Sequence, residues 1–353
     1  MNAETRLEII KRSPTEEIIT EKELLDKLKV NEKIKHYIGF EISGLLHLGT
    51  LISAEKVNDL IEAGIDCTIY LADWHSYLNK KLGGNWENIL KASKYWEKAF
   101  NFYCPGAKII LGSDLYYNNN EYWKDIVKFS SQVNLTRIAR CLTILGRTTK
   151  ESLSFAQYFY PVMQAVDIKY LGPDLAHGGM DQRKVHVLAR EIYPKLGWKK
   201  PIALHHHLLM GLNQPVMNEK MSNIEVKIAF KMSKSNPKSA IFIHDSYETI
   251  KKKILSAWCP ERIVENNPIL DICKYLIFRK YKSFLLERSS KFGGNIEFEN
   301  YAMLEKSYIK GEIHPLDLKM NVARYLDKII DPIRNYFEHG ENKKLYDWIN
   351  KSE

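Results

Sequence analysis

Apolar and polar positions change rhythm several times along the 353 residues. Roughly the first thirty are charged and read as helix, with Ser13-Pro14-Thr15-Glu16-Glu17 as a helix-start signal. The run His36-Tyr37-Ile38-Gly39-Phe40 is β-prone. It is followed by a small-residue turn at Ile42-Ser43-Gly44 and a helical stretch to about Ala63. Cys67 to Ala72 reads as a second strand ending at Asp73, residues 86–103 as helix, and Lys108 to Leu111 as a third strand running into Gly112-Ser113-Asp114. Residues 120–200 read as mostly helical, residues 202–212 as one more strand, and everything from Tyr247 onward as basic helix. Strand alternating with helix predicts an α/β fold with a parallel sheet and right-handed crossovers, in which ligands bind at the carboxyl ends of the strands. Glu41, Asp73 and Asp114 fall there.

Composition narrows this little. Hydrophobic content of 45% and charged content of 27% are those of an ordinary globular protein with room for about two domains. A net charge of +9 favours a polyanionic partner, nucleic acid being the commonest, unless the surface is merely basic throughout. The N-terminal segment has no apolar signal-peptide core and no stretch reaches the ~18 apolar residues of a membrane helix, so a cytoplasmic protein with no membrane contact is expected. Five cysteines without a C-x-x-C pair argue against a zinc ribbon or a disulfide framework, leaving reduced packing groups. In His205-His206-His207, strand alternation would split the side chains onto two faces, and no acidic partner is close in sequence, so no metal site is expected.

Two segments about 180 residues apart carry chemistry. In Gly39-Phe40-Glu41-Ile42-Ser43-Gly44-Leu45-Leu46-His47-Leu48-Gly49-Thr50, a strand enters a turn and a helix starts with His47 near its first turn. Backbone N–H groups there favour phosphate, His47 can donate to a phosphate oxygen, and Gly49 leaves the helix start bare for a large ligand. In Lys231-Met232-Ser233-Lys234-Ser235-Asn236-Pro237, two lysines and flanking hydroxyls sit on a loop that can close on a triphosphate and neutralise departing pyrophosphate. Lys220-Met221-Ser222-Asn223 matches this pattern in three letters only.

Together, in this order and spacing, the two segments resemble the His-Ile-Gly-His and Lys-Met-Ser-Lys-Ser signatures of class I aminoacyl-tRNA synthetases, with Thr50 in place of the second histidine. The resemblance extends to the archaeal and eukaryotic type of tyrosyl-tRNA synthetase through Tyr37 to Glu41, Tyr160 to Asp167, Gly178 to Lys184, Lys291 to Gly294 and His314 to Lys319. It implies a Rossmann-like parallel-sheet catalytic domain followed by an all-α C-terminal domain. The expected divisions are a helical extension at 1–30, the catalytic domain at 31–230 with a helical insertion at about 115–165, a loop linker at 231–245 and a helical anticodon-binding domain at 246–353.

The resemblance also implies roles. Tyrosine would be held by Tyr37 and Asp167 at the phenol and by Tyr160, Gln164 and Gln182 at the α-amino group. ATP would meet Gly39, Glu41, His47, Gly49 and Lys234, with magnesium riding on its phosphates. His47, Thr50, Lys231, Ser233, Lys234 and Ser235 would stabilise the phosphoryl transition state. Transfer RNA for tyrosine would meet Arg140, Arg183 and Lys184 at the acceptor end and Phe292 and Asp317 at the anticodon. A homodimer is expected. Spacing independently places Tyr160, Gln164 and Asp167 on one helical face. A tryptophan enzyme of the same class, an RNA-binding paralogue without catalysis and a small nucleotidyltransferase are the competing readings. The last is too short and lacks a C-terminal helical domain.

Overall fold

The computed structural model describes residues 1–30, 33–145, 153–216 and 222–352. They form two compact units. The first comprises Met1–Gly44, Ser53–His207 and Lys344–Glu353, and the second Leu45–Ile52 and Leu208–Lys343.

Unit one is built on a six-stranded sheet: β1 (Thr15–Ile19), β2 (Lys35–Glu41), β3 (Asp66–Ala72), β4 (Lys108–Leu111), β5 (Leu175–Gly179) and β6 (Ile202–His206). The order is β1-β6-β5-β2-β3-β4, parallel throughout except that β1 runs antiparallel to β6. The chain winds outward through β3 and β4, then returns to the other side of β2 with β5. The strand order therefore reverses between β2 and β5, and the crevice above their carboxyl ends is where such sheets take ligands. β5 and β6 are buried along their whole length, as parallel strands covered on both faces are.

The α/β class and the Rossmann-like parallel sheet stand, with three corrections. The N-terminal stretch is two helices, Ala3–Lys11 and Glu21–Lys29, flanking β1, so Thr15-Glu16-Glu17 starts a strand and not a helix. Thr20 and Glu23 form the capping box that starts the second helix, a few residues later than the sequence signal suggested. The region read as helical from 120 to 200 contains β5, and the strand at 202 ends at His206.

In unit two the helix Tyr247–Ser256, with Ile250 and Ile254 buried, packs against the long helix Pro315–Tyr336, whose buried residues include Leu318, Val322 and Leu326. This region is largely but not wholly α-helical: β7 (Phe284–Leu286) pairs antiparallel with β8 (Ile296–Phe298). Among the described residues no helix is long and apolar enough to cross a membrane.

Candidate active site

Within unit one the site grows from β2, β3, β5 and the helix Phe159–Leu171. β2 and β3 are in register with Tyr37 beside Thr68 and Gly39 beside Tyr70, so Tyr37, Gly39 and Tyr70 share a sheet face. Tyr37 is buried, and a Cβ on Gly39 would lie 2.7 Å from its hydroxyl, so only glycine lets that ring fold back along the strand. Glu41, the last residue of β2, accepts from Asn79 Nδ2 at 2.8 Å and pairs with Lys81 Nζ at 3.1 Å.

The helix Phe159–Leu171 is stopped by Gly172 in the left-handed region and buries Tyr160, Gln164 and Asp167 along one stripe, as their spacing predicts. Gln164 Nε2 donates to Gln182 Oε1 at 3.0 Å, which leaves Gln164 Oε1 buried with no hydrogen-bond partner. Asp167 is fully buried. Its oxygens accept from Tyr122 at 2.8 Å, Tyr116 at 3.0 and 3.1 Å, and Tyr70 at 3.1 Å. Tyr37 is not among these donors. Burial pushes the Asp167 carboxyl up to about 7 against the pull of the three phenols. His75 Nε2 lies 3.6 Å from Asp167 Oδ2, too long for a hydrogen bond, and burial holds that ring neutral with its pKa lowered to about 3. The contact is therefore not an ion pair. Both ring nitrogens of His75 are buried without partners, and the ring meets Tyr160 edge-on at 4.5 Å. Gln164 Oε1 and the His75 nitrogens are the groups a polar ligand would satisfy.

Within unit two, Leu45–Ile52 is tied to the segment around Phe242: Leu48 N–H donates to Ile241 O at 3.0 Å and Ile243 N–H to Leu46 O at 3.0 Å. His47 is half-buried and Thr50 buried. Gly49 N–H donates to His47 Nδ1 at 3.1 Å, so Nδ1 is the acceptor and Nε2 carries the proton. Burial, then the charges of Lys234 and Lys231, lower the His47 pKa to about 3. The ring is thus a neutral donor through Nε2. Lys231 to Ser235 is a loop following the helix Asn223–Phe230. Met232 anchors it, buried and donating its N–H to Leu209 O at 2.7 Å, while Lys231, Ser233 and Lys234 are half-buried and Ser235 is exposed. Of the three-letter partial match, Ser222 caps that helix with Glu225, while Lys220 and Met221 lie outside the described residues.

Residues 28–331 match the family of class I tRNA synthetases for tryptophan and tyrosine. The tyrosine–tRNA ligase of Thermococcus kodakarensis is 44% identical over 375 residues, covering 98% of each chain. That of Saccharolobus solfataricus is 44% identical over 359 residues, covering 100% of this chain and 98% of its own. The crystal structure of tyrosyl-tRNA synthetase complexed with L-tyrosine from Pyrococcus horikoshii superposes with a TM-score of 0.91 at 41% identity, covering 98% of this chain and 99% of that one. The chain belongs to the tyrosyl-tRNA synthetases of archaeal and eukaryotic type. A tryptophanyl-tRNA synthetase from Aeropyrum pernix, at 16% identity and a TM-score of 0.68, shares the fold alone.

The remaining expected residues of this synthetase are spread widely. Arg140 and Lys184 are exposed. Arg183 is held by Glu17 of β1, with Nε 2.8 Å from Oε2 and Nη2 2.9 Å from Oε1. Phe292 is 60% exposed beside Lys291, whose Nζ is 5.9 Å from the ring centre, and Asp317 opens the helix Pro315–Tyr336. The histidine run does find acids, contrary to the sequence reading. His205 Nδ1 meets Glu17 Oε2 at 2.9 Å and His207 Nδ1 meets Glu16 Oε1 at 2.7 Å, both from β1. Among the described residues no group of three or more His, Cys, Asp or Glu is disposed to hold a metal.

Sequence reasoning missed Tyr70, Tyr116, Tyr122 and His75. Tyr70 offered a signal: it sits near the carboxyl end of a strand recognised as such. Tyr122, one aromatic in a charged helix, offered none.

Proposed function

We propose that this synthetase activates L-tyrosine with ATP and passes the tyrosyl group to the 3′-terminal ribose of tRNA(Tyr). A carboxylate oxygen of tyrosine attacks the α-phosphorus, the bond to the β-phosphate oxygen breaks, and pyrophosphate leaves. The ribose hydroxyl then takes the acyl carbon and AMP departs. Catalysis is positioning and charge stabilisation, with no side-chain nucleophile.

The observation that carries this reading is the stripe Tyr160–Gln164–Asp167. One helix carries a buried carboxyl and, one turn earlier, a buried amide oxygen without a hydrogen-bond partner, with Tyr160 a further turn back. Asp167, with Tyr37 beside it, receives the phenol. Gln164 Oε1, oriented by Gln182, accepts from the α-ammonium together with Tyr160. His47, a neutral Nε2 donor, and Thr50 bind phosphate oxygens, and Gly39 and Glu41 border the nucleotide. Lys231 and Lys234, with Ser233 and Ser235, stabilise the departing pyrophosphate. Magnesium accompanies the ATP, held by its phosphates and water.

Arg140, Arg183 and Lys184 meet the acceptor end of the tRNA. Phe292 stacks on an anticodon base and Asp317 accepts from a base edge. In this reading the domains divide near the Lys231–Ser235 loop and the synthetase is a cytoplasmic homodimer. ATP–pyrophosphate exchange measured in parallel with tyrosine, phenylalanine and tryptophan tests the reaction and the specificity together. Exchange with tyrosine alone is expected. Exchange driven by tryptophan would overturn the Asp167 and Tyr37 assignment, and exchange with none of the three would overturn the reaction.

A further inference from the structure

Asp167 has two unlike oxygens. Oδ1 is held by Tyr122 at 2.8 Å and Tyr116 at 3.0 Å. Oδ2 has Tyr70 at 3.1 Å, Tyr116 at 3.1 Å and His75 Nε2 at 3.6 Å. His75 Nε2, which makes no hydrogen bond, faces Oδ2, so Oδ2 is the oxygen an incoming phenol meets when Asp167 receives it. Three groups already crowd that oxygen, and a phenol arriving there must displace one.

Tyr70 is the group with somewhere else to go. Its hydroxyl lies 2.6 Å from that of Tyr116, and either can be the donor. Each hydroxyl has one proton to give. In the empty site Tyr116 donates to Oδ1 and Tyr70 to Oδ2. With a phenol on Oδ2, Tyr70 turns its proton to the Tyr116 oxygen while Tyr116 keeps Oδ1. Every proton has an acceptor in both arrangements, so the move orphans nothing.

We propose that the Tyr70 hydroxyl is a resident stand-in for the phenol of tyrosine, donating to Asp167 Oδ2 in the empty site and handing that oxygen over when tyrosine binds. This rests on the reading that Asp167 receives the phenol. Tyr70 acts through Asp167 as a positioning residue, and the consequence is for specificity. A site rejects a ligand lacking a hydroxyl because its own polar groups are then left unpaired. Here phenylalanine leaves Tyr70 in place and Asp167 satisfied, so the hand-over softens the rejection. The buried carboxyl, pushed up to about 7, is sensitive to each donor it keeps or loses.

The test is the ratio of kcat/KM for tyrosine over phenylalanine in pyrophosphate exchange, with folding checked by thermal melts. Tyr70→Phe should raise the ratio roughly threefold to tenfold, the worth of about one net hydrogen bond, and mainly through a lower KM for tyrosine with kcat held. Tyr116→Phe removes the second acceptor that Tyr70 needs and should lower the ratio by a similar factor. Opposite signs from two conservative hydroxyl deletions are not what a merely structural role produces. If Tyr70→Phe does not fold, Tyr116→Phe decides alone. An unchanged or lower ratio in Tyr70→Phe, or a higher one in Tyr116→Phe, overturns the proposal. Asp167→Asn separates the two layers. A collapsed ratio there keeps the phenol on Asp167 whatever Tyr70 does, and an unchanged ratio removes both the reading and the hand-over.

Discussion

Lowering the pH below about 6.5 offers protons that the unfolded chain accepts and the folded unit one resists. Two files of buried rings cross the sheet. His36 Nε2 meets His177 Nδ1 at 3.0 Å, His177 Nε2 meets His206 Nδ1 at 2.8 Å, and His206 Nε2 meets Ser53 Oγ at 3.0 Å. Alongside, His186 Nδ1 meets His205 Nε2 at 3.1 Å, and His205 Nδ1 meets Glu17. Burial lowers the pKa of His36, His205 and His75 to about 3 and holds those of His177 and His186 well below the ordinary value, with neighbouring rings adding to the effect at His177, His186 and His205. With folded values below the unfolded ~6.5, the unfolded chain binds more protons, so this stability is complete above pH ~6.5 and is lost as the pH falls toward 3. Asp167 works the other way. Its folded carboxyl, raised to about 7, takes up a proton between pH ~7 and ~4 and adds stability as the pH falls. Five histidines against Asp167 and Asp73, whose carboxyl burial also raises, leave about three to four net protons, or about 4–5 kcal/mol per pH unit below pH ~6. A domain stability of about 5–15 kcal/mol would be exhausted between pH ~5.5 and ~4. Urea unfolding followed by circular dichroism across pH ~7.5 to ~5 measures the slope. A stability constant to about 1 kcal/mol over that range would show that the rings take protons in place, and would refute the reasoning.

Three further outcomes are expected. Gly39→Ala puts a Cβ 2.7 Å from the hydroxyl of the buried Tyr37, at an overpacking cost of about 1–3 kcal/mol, so the KM for tyrosine should rise about tenfold or more; steady-state exchange kinetics would show it. Phe292→Ala should leave pyrophosphate exchange unchanged and lower kcat/KM for tRNA about tenfold, the loss of a base stack of about 1–3 kcal/mol, measured by aminoacylation. Glu17→Gln weakens the hold on both Arg183 and His205 and should cost about 1–3 kcal/mol in urea unfolding, with tyrosine activation little changed.

The parts legible in the sequence were those whose signal is local. β2, β3 and β4 announced themselves by short apolar runs ending at Gly, Ser or Asp, and the stripe Tyr160–Gln164–Asp167 by its helical spacing. β1 failed because Glu16 and Glu17 look like solvated helix. Their partners, His207, His205 and Arg183, are 191, 188 and 166 residues away, and only the antiparallel pairing with β6 brings them together. β5 failed because His177-Gly178-Gly179 reads as a turn, glycine being a poor strand former by itself. The tyrosines around Asp167 come from three separate segments, 45, 51 and 97 residues away, and no window of sequence contains that cluster.

Gly49 has a structural task that the sequence does not announce. The sequence suggested that its bareness clears space for a large ligand against the helix start. The structure puts the ring of His47 there: a Cβ on Gly49 would fall 2.8 Å from His47 Cε1, while the Gly49 N–H reaches His47 Nδ1. The same residue therefore clears room for the ring and sets its tautomer, which is what turns a histidine into a neutral donor aimed through Nε2. Gly39 does the equivalent for Tyr37, two residues earlier on the same strand. In both cases glycine follows the aromatic side chain by two positions, and the ring lies back over the backbone where any Cβ would stand. A side chain folded in this way has its direction fixed by its own chain before any ligand arrives, and that preorganisation is what a reaction driven by positioning requires.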